Sequence, residues 1–356
     1  MNAPVTMRQI AERAEVSIGT VSHVINGTAK VREKLRQRVL EAIRSLGYQP
    51  SELGRGLRKN QTNMLVMMIP DVTNPFFPGV VRGVEDVAYK SSFRLVLCNT
   101  DNDRRKEISY LNEMRAYRPA GWLVIPSVDS EIAAYLRTQV LGPPAVCIDR
   151  QAEGWDGDVA VVANETGAYS ATRHLLRLGH RRLAVITGPL HLANAVERLA
   201  GFKHAVSEAR LTIEADYIQE ARFDRDSGYH AAKRLLRMLP RPTAIFACND
   251  LMALGVLMAA RELGLHCPAD LSIVGFDDLD FAEFTAPALT TVHQPGYQLG
   301  TAAARLLLER IAGSTQEPQR LLLPTELKIR QSVAAANGRS AVSSRERRRG
   351  VALKVH

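Results

Sequence analysis

Two hydrophobic periodicities divide the chain. Over the first sixty residues, apolar side chains recur every three or four positions, the spacing of amphipathic helices. Thr6, with Gln9 three positions on, reads as a capping box ahead of a helix from Met7 to Ala14. A short turn at Glu15 and Val16 leads to Ser17, a good N-cap, and to the stretch IGTVSHVIN. Asn26 and Gly27 stop that helix, because both residue types tolerate positive φ. A third helix is predicted from about Val31 to Leu46, with Leu35, Val39, Ile43 and Leu46 on one face and Gly47 at its end.

From about Asn63 the pattern changes to short continuous apolar runs separated by helical stretches. Strands are predicted at 64–70, 94–99, 122–126, 145–149, 183–188, 244–249 and 272–277, and helices at 78–90, 105–117, 167–178, 197–209, 228–238 and 251–263. Continuous apolar strands alternating with helices mean parallel sheets covered on both faces. About 270 residues of this pattern is large for one doubly wound sheet, and QAEGWDGD at 151–158 interrupts it near the middle. The pattern therefore predicts two α/β lobes with a cleft between them. LTTVHQP (289–295) is strand-like and falls after the second lobe should be complete, so the chain is expected to cross back to the first lobe there.

The predicted fold is thus a small all-α helix-turn-helix head (1–50) and a hinge (51–62) joined to a two-lobed α/β core (63–330). The first lobe takes 63–162 plus 292–320 and the second 163–291 plus 321–330, with a tail at 331–356. No apolar run reaches the length of a membrane span, and the start MNAPVTMRQI lacks the apolar core of a signal peptide, so a cytoplasmic, nucleoid-associated protein without membrane contact is expected. Cys98, Cys147, Cys248 and Cys267 lie far apart with no C-x-x-C pair and read as small buried residues; no metal site and no cofactor are expected.

Charge changes the picture once it is partitioned. The net charge is +9, but residues 1–60 hold 11 Lys and Arg against 5 Asp and Glu, and residues 331–356 hold 6 against 1, which leaves 61–330 slightly acidic. A basic head on a near-neutral body is the footprint of a nucleic-acid-binding module attached to something else. The basic tail, with SSRERRR at 343–349, is low in apolar content and is expected to be disordered.

A helix, a tight turn and a second helix within 26 residues fit a helix-turn-helix, whose second helix enters the major groove of double-stranded DNA. Its first turns nominate Ile18, Gly19, Ser22 and His23 for base edges and Ser17 and Thr20 for phosphates, with Thr6 and Asn26 at the helix ends. The chain has no G-x-S-x-G, Walker-type, H-E-x-x-H or dinucleotide-binding motif, so no catalytic residue is nominated and an enzyme is not expected.

The head, MRQIAERAEVSIGTVSHVINGTAKVREKLRQRVLEAIRSLGYQP followed by SELGRGLR, resembles the amino-terminal domain and hinge of the lactose-repressor (LacI/GalR) family. The resemblance continues in order through IPDVTNPFF, LCNTDND, LGHRRLAVITGPL, ACNDLMALG, IVGFDD and LTTVHQP, to about Arg330. VSHVIN, LCNT, TGPL and HQP are most similar to the ribose and purine repressors. It implies a transcriptional repressor that binds a palindromic operator as a homodimer under the control of a small molecule. The dimer contact is expected near 78–90 and 251–263, and 331–356 lacks the leucine heptads of tetrameric relatives. Ile18 and Gly19 then occupy positions that set operator preference, and His23 stands where many members carry arginine. The hinge is implied to wedge Leu57 into the minor groove with Arg55 nearby. Gly54 and Gly56 flank Arg55, and each disfavours helix by roughly 1 kcal/mol relative to alanine, so the hinge helix is expected to be marginal off DNA.

The resemblance extends to periplasmic sugar-binding proteins, the ribose-binding protein above all. A sugar site needs aromatic faces against C–H surfaces and charged or amide groups that each bond two hydroxyls. Phe76, Phe77 and Phe223 match the first requirement, and Asn74, Asp149, Arg150, Arg198, Asn249, Asp277 and Gln294 the second. A sugar such as ribose is the expected effector, and a purine-type co-repressor is the alternative. Arg198, Phe223 and Asp277 also match the purine repressor, but the Asp149-Arg150 pair suits a polyol, since that repressor has tryptophan at the second position.

Overall fold

The computed structural model of the chain describes residues 5–27, 29–48, 62–127, 130–138 and 142–336. The hinge candidates Arg55 and Leu57, and the tail beyond 336, lie outside the described residues. The chain divides into two compact units, Met1–Asn63 with Tyr117–Pro119 and the remainder.

The first unit is built from α1 (Met7–Ala14), α2 (Ile18–Asn26) and α3 (Glu33–Leu46). Thr6 closes the capping box, its backbone N–H donating to Gln9 Oε1 at 2.8 Å while its Oγ1 accepts the Gln9 N–H. Glu15 ends α1 in the left-handed region, and Ser17 starts α2 by accepting the Thr20 N–H at 3.1 Å. Gly27 and Gly47 end α2 and α3 at positive φ. The third helix starts two residues later than the apolar spacing suggests, because Arg32 is still extended. Ile10, Val21 and Val39, one from each helix, are fully buried among Ala11, Ala14 and Ala42.

The second unit holds two six-stranded sheets. In the first, β1 (Met64–Ile69), β2 (Arg94–Asn99), β3 (Gly121–Val124), β4 (Ala145–Ile148), β5 (Asp158–Val162) and β11 (Arg320–Leu323) run parallel in the order β11-β5-β4-β3-β1-β2. Helices α4 (Phe76–Lys90), α5 (Arg104–Arg115), α6 (Ser130–Thr138) and α11 (Gly296–Ile311) belong to this lobe. The second sheet has the order β12-β10-β9-β8-β6-β7 from β6 (Leu183–Thr187), β7 (Ile218–Glu220), β8 (Ala244–Ala247), β9 (Ser272–Asp277), β10 (Thr290–His293) and β12 (Glu326–Lys328). It packs against α7 (Asn164–Arg177), α8 (Ala193–Glu208), α9 (Arg225–Arg237) and α10 (Asp250–Glu262). The run MLVMMI of β1 is buried almost throughout, as a strand covered on both faces must be.

Four strands escape the sequence pattern. β5 is five residues pressed between Gly157 and Asn164, β7 and β12 are three residues long, and β11 alternates exposed and half-buried positions at a sheet edge. β12 is antiparallel to β10, so the second sheet is mixed rather than wholly parallel. Two helices, α6 and α11, also went unassigned. The strand at 290–293 pairs with β9 and so belongs to the second sheet; the chain crosses after it, at Gln294–Pro295, and returns between Leu323 and Glu326. The lobe boundaries at 292 and 321 therefore each move by two or three residues.

The returning helix α11 crosses α4 closely. A Cβ on Gly300 would lie 2.1 Å from the Val80 carbonyl oxygen, a backbone atom that cannot yield. Gly300→Ala is expected to destabilise the core by about 1–3 kcal/mol, visible as a lower urea midpoint. The same helix fixes β5, because Arg310 grips the buried Asp158 through Nε at 2.6 Å and Nη2 at 2.9 Å.

Candidate functional site

In the first unit, α2 presents its amino-terminal turn outward. Ile18 is 49% exposed and Gly19 is exposed, an apolar pair that the packing of the unit leaves uncovered. Ser17 and Thr20 share a hydroxyl contact at 2.9 Å at the same helix start. His23 is exposed one turn further on and Ser22 is half-buried. Thr6 is engaged in capping α1. This arrangement places the first-turn backbone N–H groups of α2 and an exposed apolar residue together at one helix start, which is what a groove-entering helix requires.

In the second unit the carboxyl ends of the strands meet at a cavity of about 680 Å³, within the usual size of a small-molecule site. All ten effector candidates line it: Asn74, Phe76, Phe77, Asp149, Arg150, Arg198, Phe223, Asn249, Asp277 and Gln294. Phe76 and Phe77 form the first turn of α4 and meet edge to face at 5.3 Å. Asn74 accepts the Phe76 N–H at 3.1 Å, and Asn249 caps α10 through the Met252 N–H at 2.8 Å while donating to the Phe223 carbonyl at 2.9 Å. These two amides thus hold the walls as well as facing the cavity. Phe223 has a positive φ of 63° and its ring covers Gly188, where a Cβ would come within 2.1 Å of the ring. A glycine after β6 is what lets that aromatic face lie flat.

The charged groups converge from both lobes. Asp149, in the left-handed region at the end of β4, is buried beside Arg150, with Oδ2 3.8 Å from Arg150 Nε and accepting from Asn194 Nδ2 at 3.1 Å. Burial pushes Asp149 up, against the pull of Arg150 and Arg198. Burial likewise depresses Arg150, against Asp149 and Glu107. Arg198, on α8, donates Nε to Asn164 Oδ1 at 2.9 Å and Nη1 to the Cys248 carbonyl at 2.6 Å, and lies 3.9 Å over the Phe276 ring. Its Nη1 is 3.5 Å from Asp277 Oδ1. Asp277 also accepts from Gln294 Nε2, and burial raises it to about 7 despite both partners. Behind it, the wholly buried Asp250 accepts from Thr291 Oγ1 at 2.6 Å and from the Leu279 N–H at 2.8 Å, which pins the loop that follows Asp277.

Sequence reasoning missed Asn194, Asn102, Arg222, Leu251 and Phe281, which also line the cavity. Asn194 stands among the apolar residues Leu192, Ala193, Ala195 and Val196, and an amide at such a position was the available signal. Asn102 accepts from Arg150 Nη2 at 3.4 Å. Among the described residues, no group of His, Cys, Asp or Glu is placed to hold a metal ion, and no helix is long and apolar enough to cross a membrane.

A few buried side-chain atoms in the described residues have no hydrogen-bond partner within the protein: Asp149 Oδ1, Arg150 Nε and Nη1, Asn194 Oδ1, Gln294 Oε1 and Asp278 Oδ1. Asp278 is ion-paired with Arg330 at 2.7 Å; the other five atoms belong to residues that line the cavity. The two amide oxygens are fixed as acceptors, since the NH₂ ends of Asn194 and Gln294 already face carboxylates. Residues that line the cavity thus carry three unpartnered acceptor oxygens and two unpartnered donor nitrogens.

Comparison with known proteins agrees with both units. The model of the lacI family of bacterial regulatory proteins matches residues 6–51, and that of a periplasmic binding protein-like domain matches residues 172–333. The chain is 36% identical over 332 residues to the HTH-type transcriptional repressor PurR of Vibrio atlanticus (strain LGP32), covering 93% of this chain and 99% of that protein. Among solved structures it is similar to the lac repressor dimer bound to operator and the anti-inducer ONPF, with a TM-score of 0.84, 27% identity, and coverage of 94% of this chain and 100% of that one. It is also similar to a LacI family regulator from Enterococcus faecium with bound ribose, with a TM-score of 0.69, 33% identity, and coverage of 77% and 100%.

Proposed function

The chain belongs to the lacI family of bacterial regulatory proteins and is a DNA-binding transcriptional repressor, not an enzyme; from that premise we propose that it binds a palindromic operator as a homodimer and that a sugar such as ribose, held in the core cavity, controls that binding. The observation that carries the effector class is the set of unpartnered buried atoms. Three acceptors, Asp149 Oδ1, Asn194 Oδ1 and Gln294 Oε1, need three donors at once. A pentose brings a hydroxyl at each of four carbons, each of which donates one hydrogen bond and accepts two. Hypoxanthine, with only two ring N–H groups, would leave a buried acceptor unpaired at a cost of about 1–3 kcal/mol.

The aromatic faces of Phe77 and Phe223 suit the C–H surface of a pyranose or furanose, and Arg150 Nε and Nη1, on different edges of the guanidinium, each suit a hydroxyl oxygen. The E. faecium relative with bound ribose supports this reading. The PurR relatives favour a second one, a purine-type co-repressor, because the same aromatic faces would stack a base.

Calorimetric titration of the full chain with D-ribose, other pentoses, hexoses and hypoxanthine separates the two. A pentose is expected to bind, and binding of hypoxanthine with no response to any sugar would reverse the assignment. The proposed reading of DNA by Ile18, Gly19, Ser22 and His23, with Ser17, Thr20, Thr6 and Asn26 at the helix ends, is supported by the exposure of the first turn of α2. Operator binding at half-sites about one helical turn apart follows from two-fold symmetry.

A further inference from the structure

Glu197 stands one residue before Arg198 on α8, yet its carboxylate serves a different neighbour. Its Oε2 accepts from Asn164 Nδ2 at 2.9 Å. A carboxylate accepts only from the NH₂ end of an amide, so this bond fixes Asn164 with Oδ1 toward Arg198, whose Nε–H it receives at 2.9 Å. Asn164 is buried, with 1% exposure, and has no solvent to compensate a wrong orientation. Turned over, its NH₂ would face a guanidinium, donor against donor. The plane of Arg198 thus rests on Asn164, on the Cys248 carbonyl and on the Phe276 ring, and of these only Asn164 depends on a further residue to hold its sense.

The other carboxylate oxygen, Oε1, lies 3.8 Å from Arg320 Nη2. Arg320 begins β11 in the opposite sheet, and its Nη1 donates to Gln151 Oε1 at 2.7 Å, one residue from Arg150. Glu197 and Arg320 also share the walls of a second cavity, of about 280 Å³, with Asp149 and Arg150. Glu197 is therefore in contact with both lobes.

We infer that Glu197 is a positioning residue for the effector site: it holds the Asn164 amide in the orientation that aims Arg198 into the cavity, and through Arg320 it refers that aim to the other lobe. The inference rests on the reading that the cavity binds a small ligand through Arg198. The two contacts differ in weight. An ion pair as long and exposed as Arg320–Glu197, with 49% and 37% side-chain exposure, contributes little, at most about fivefold in affinity. The charge-assisted bond to the buried amide is the larger, about tenfold or more.

The test titrates the full chain with D-ribose and with hypoxanthine. Glu197→Ala is expected to weaken the bound ligand about tenfold, and Glu197→Gln, whose amide oxygen still accepts from Asn164, to stay within about threefold. Asn164→Ala should reproduce the loss, and the double variant should lose no more than Asn164→Ala alone, because both act through one bond. Glu197 is more than a third exposed, so its removal leaves the core packed, and a thermal melt verifies this. Wild-type affinity in Glu197→Ala, or fully additive losses in the double variant, would overturn the inference while leaving the cavity assignment intact. Binding of neither probe by the wild-type chain would overturn the cavity assignment, and this inference with it.

Discussion

Arg198→Ala is expected to weaken D-ribose binding by roughly a hundredfold or more, read by calorimetric titration, while DNA binding by the unliganded chain persists. Arg198 is a buried cation with 3% exposure, held by an amide, a carbonyl and an aromatic ring, and it faces the buried Asp277 at 3.5 Å. With those supports satisfied by Nε and Nη1, the remaining N–H groups are available to the ligand. Truncation removes those donors and also takes away the charge that helps Asp277 to ionise. The site then loses two ligand groups in one step: a donor, and an acceptor that becomes protonated. Arg198→Lys keeps the charge without the planar fork and is expected to fall between, since a lysine cannot bond Asn164 and the Cys248 carbonyl together. Equal affinity in the alanine variant and the wild type would show that the ligand is held elsewhere.

The sequence carried the architecture wherever one physical signal was strong enough alone. Thr6 with Gln9, and Ser17 with Thr20, close the hydrogen bonds that their spacing implies, because a cap is a local bond between near neighbours. The long apolar strands were legible because burial on both faces leaves no polar position. β5, β7, β11 and β12 were not, since three to five residues at a sheet edge or beside a turn carry no period. The cavity was largely legible for the reason that ligands gather at strand ends: Asp149 follows β4, Asn249 follows β8, Asp277 ends β9 and Gln294 follows β10. Asn194, Asn164 and Glu197 were hidden, because their roles depend on which helix face meets the opposite lobe. That is a fact of packing which spacing alone does not encode. Asn74 and Asn249 show the converse: both were nominated for a ligand, and both spend hydrogen bonds on helix starts.

Effector affinity and core stability are expected to respond to pH in opposite senses through Asp277. Burial raises this carboxyl to about 7 from an ordinary 3.8, against the opposing influence of Arg198 and Gln294, with Asp149 adding to the rise. Asp250, buried behind it, is raised as well, first by burial and then by Asp277, so the two titrate as a pair. Because the folded pKa exceeds the unfolded one, the folded chain holds a proton that the unfolded chain has released. The stabilisation is complete below the ordinary carboxylate range and is lost as pH rises toward and through 7. Ligand hydroxyls donate to the ionised form, so D-ribose binding should strengthen over the same range, by up to about tenfold per pH unit below 7. His174 and His180, lowered chiefly by burial, favour the folded state as pH rises and act against the first trend. The remaining charges near this loop, Asp278 with His293 and Arg330, are paired to one another. Comparison with Asp277→Asn isolates the carboxyl pair: the difference in melting temperature between wild type and variant should slope downward from pH 5.5 to 8, and the rise of ribose affinity with pH should flatten in the variant. Parallel profiles for the two proteins would mean that Asp277 does not change its protonation between pH 5.5 and 8.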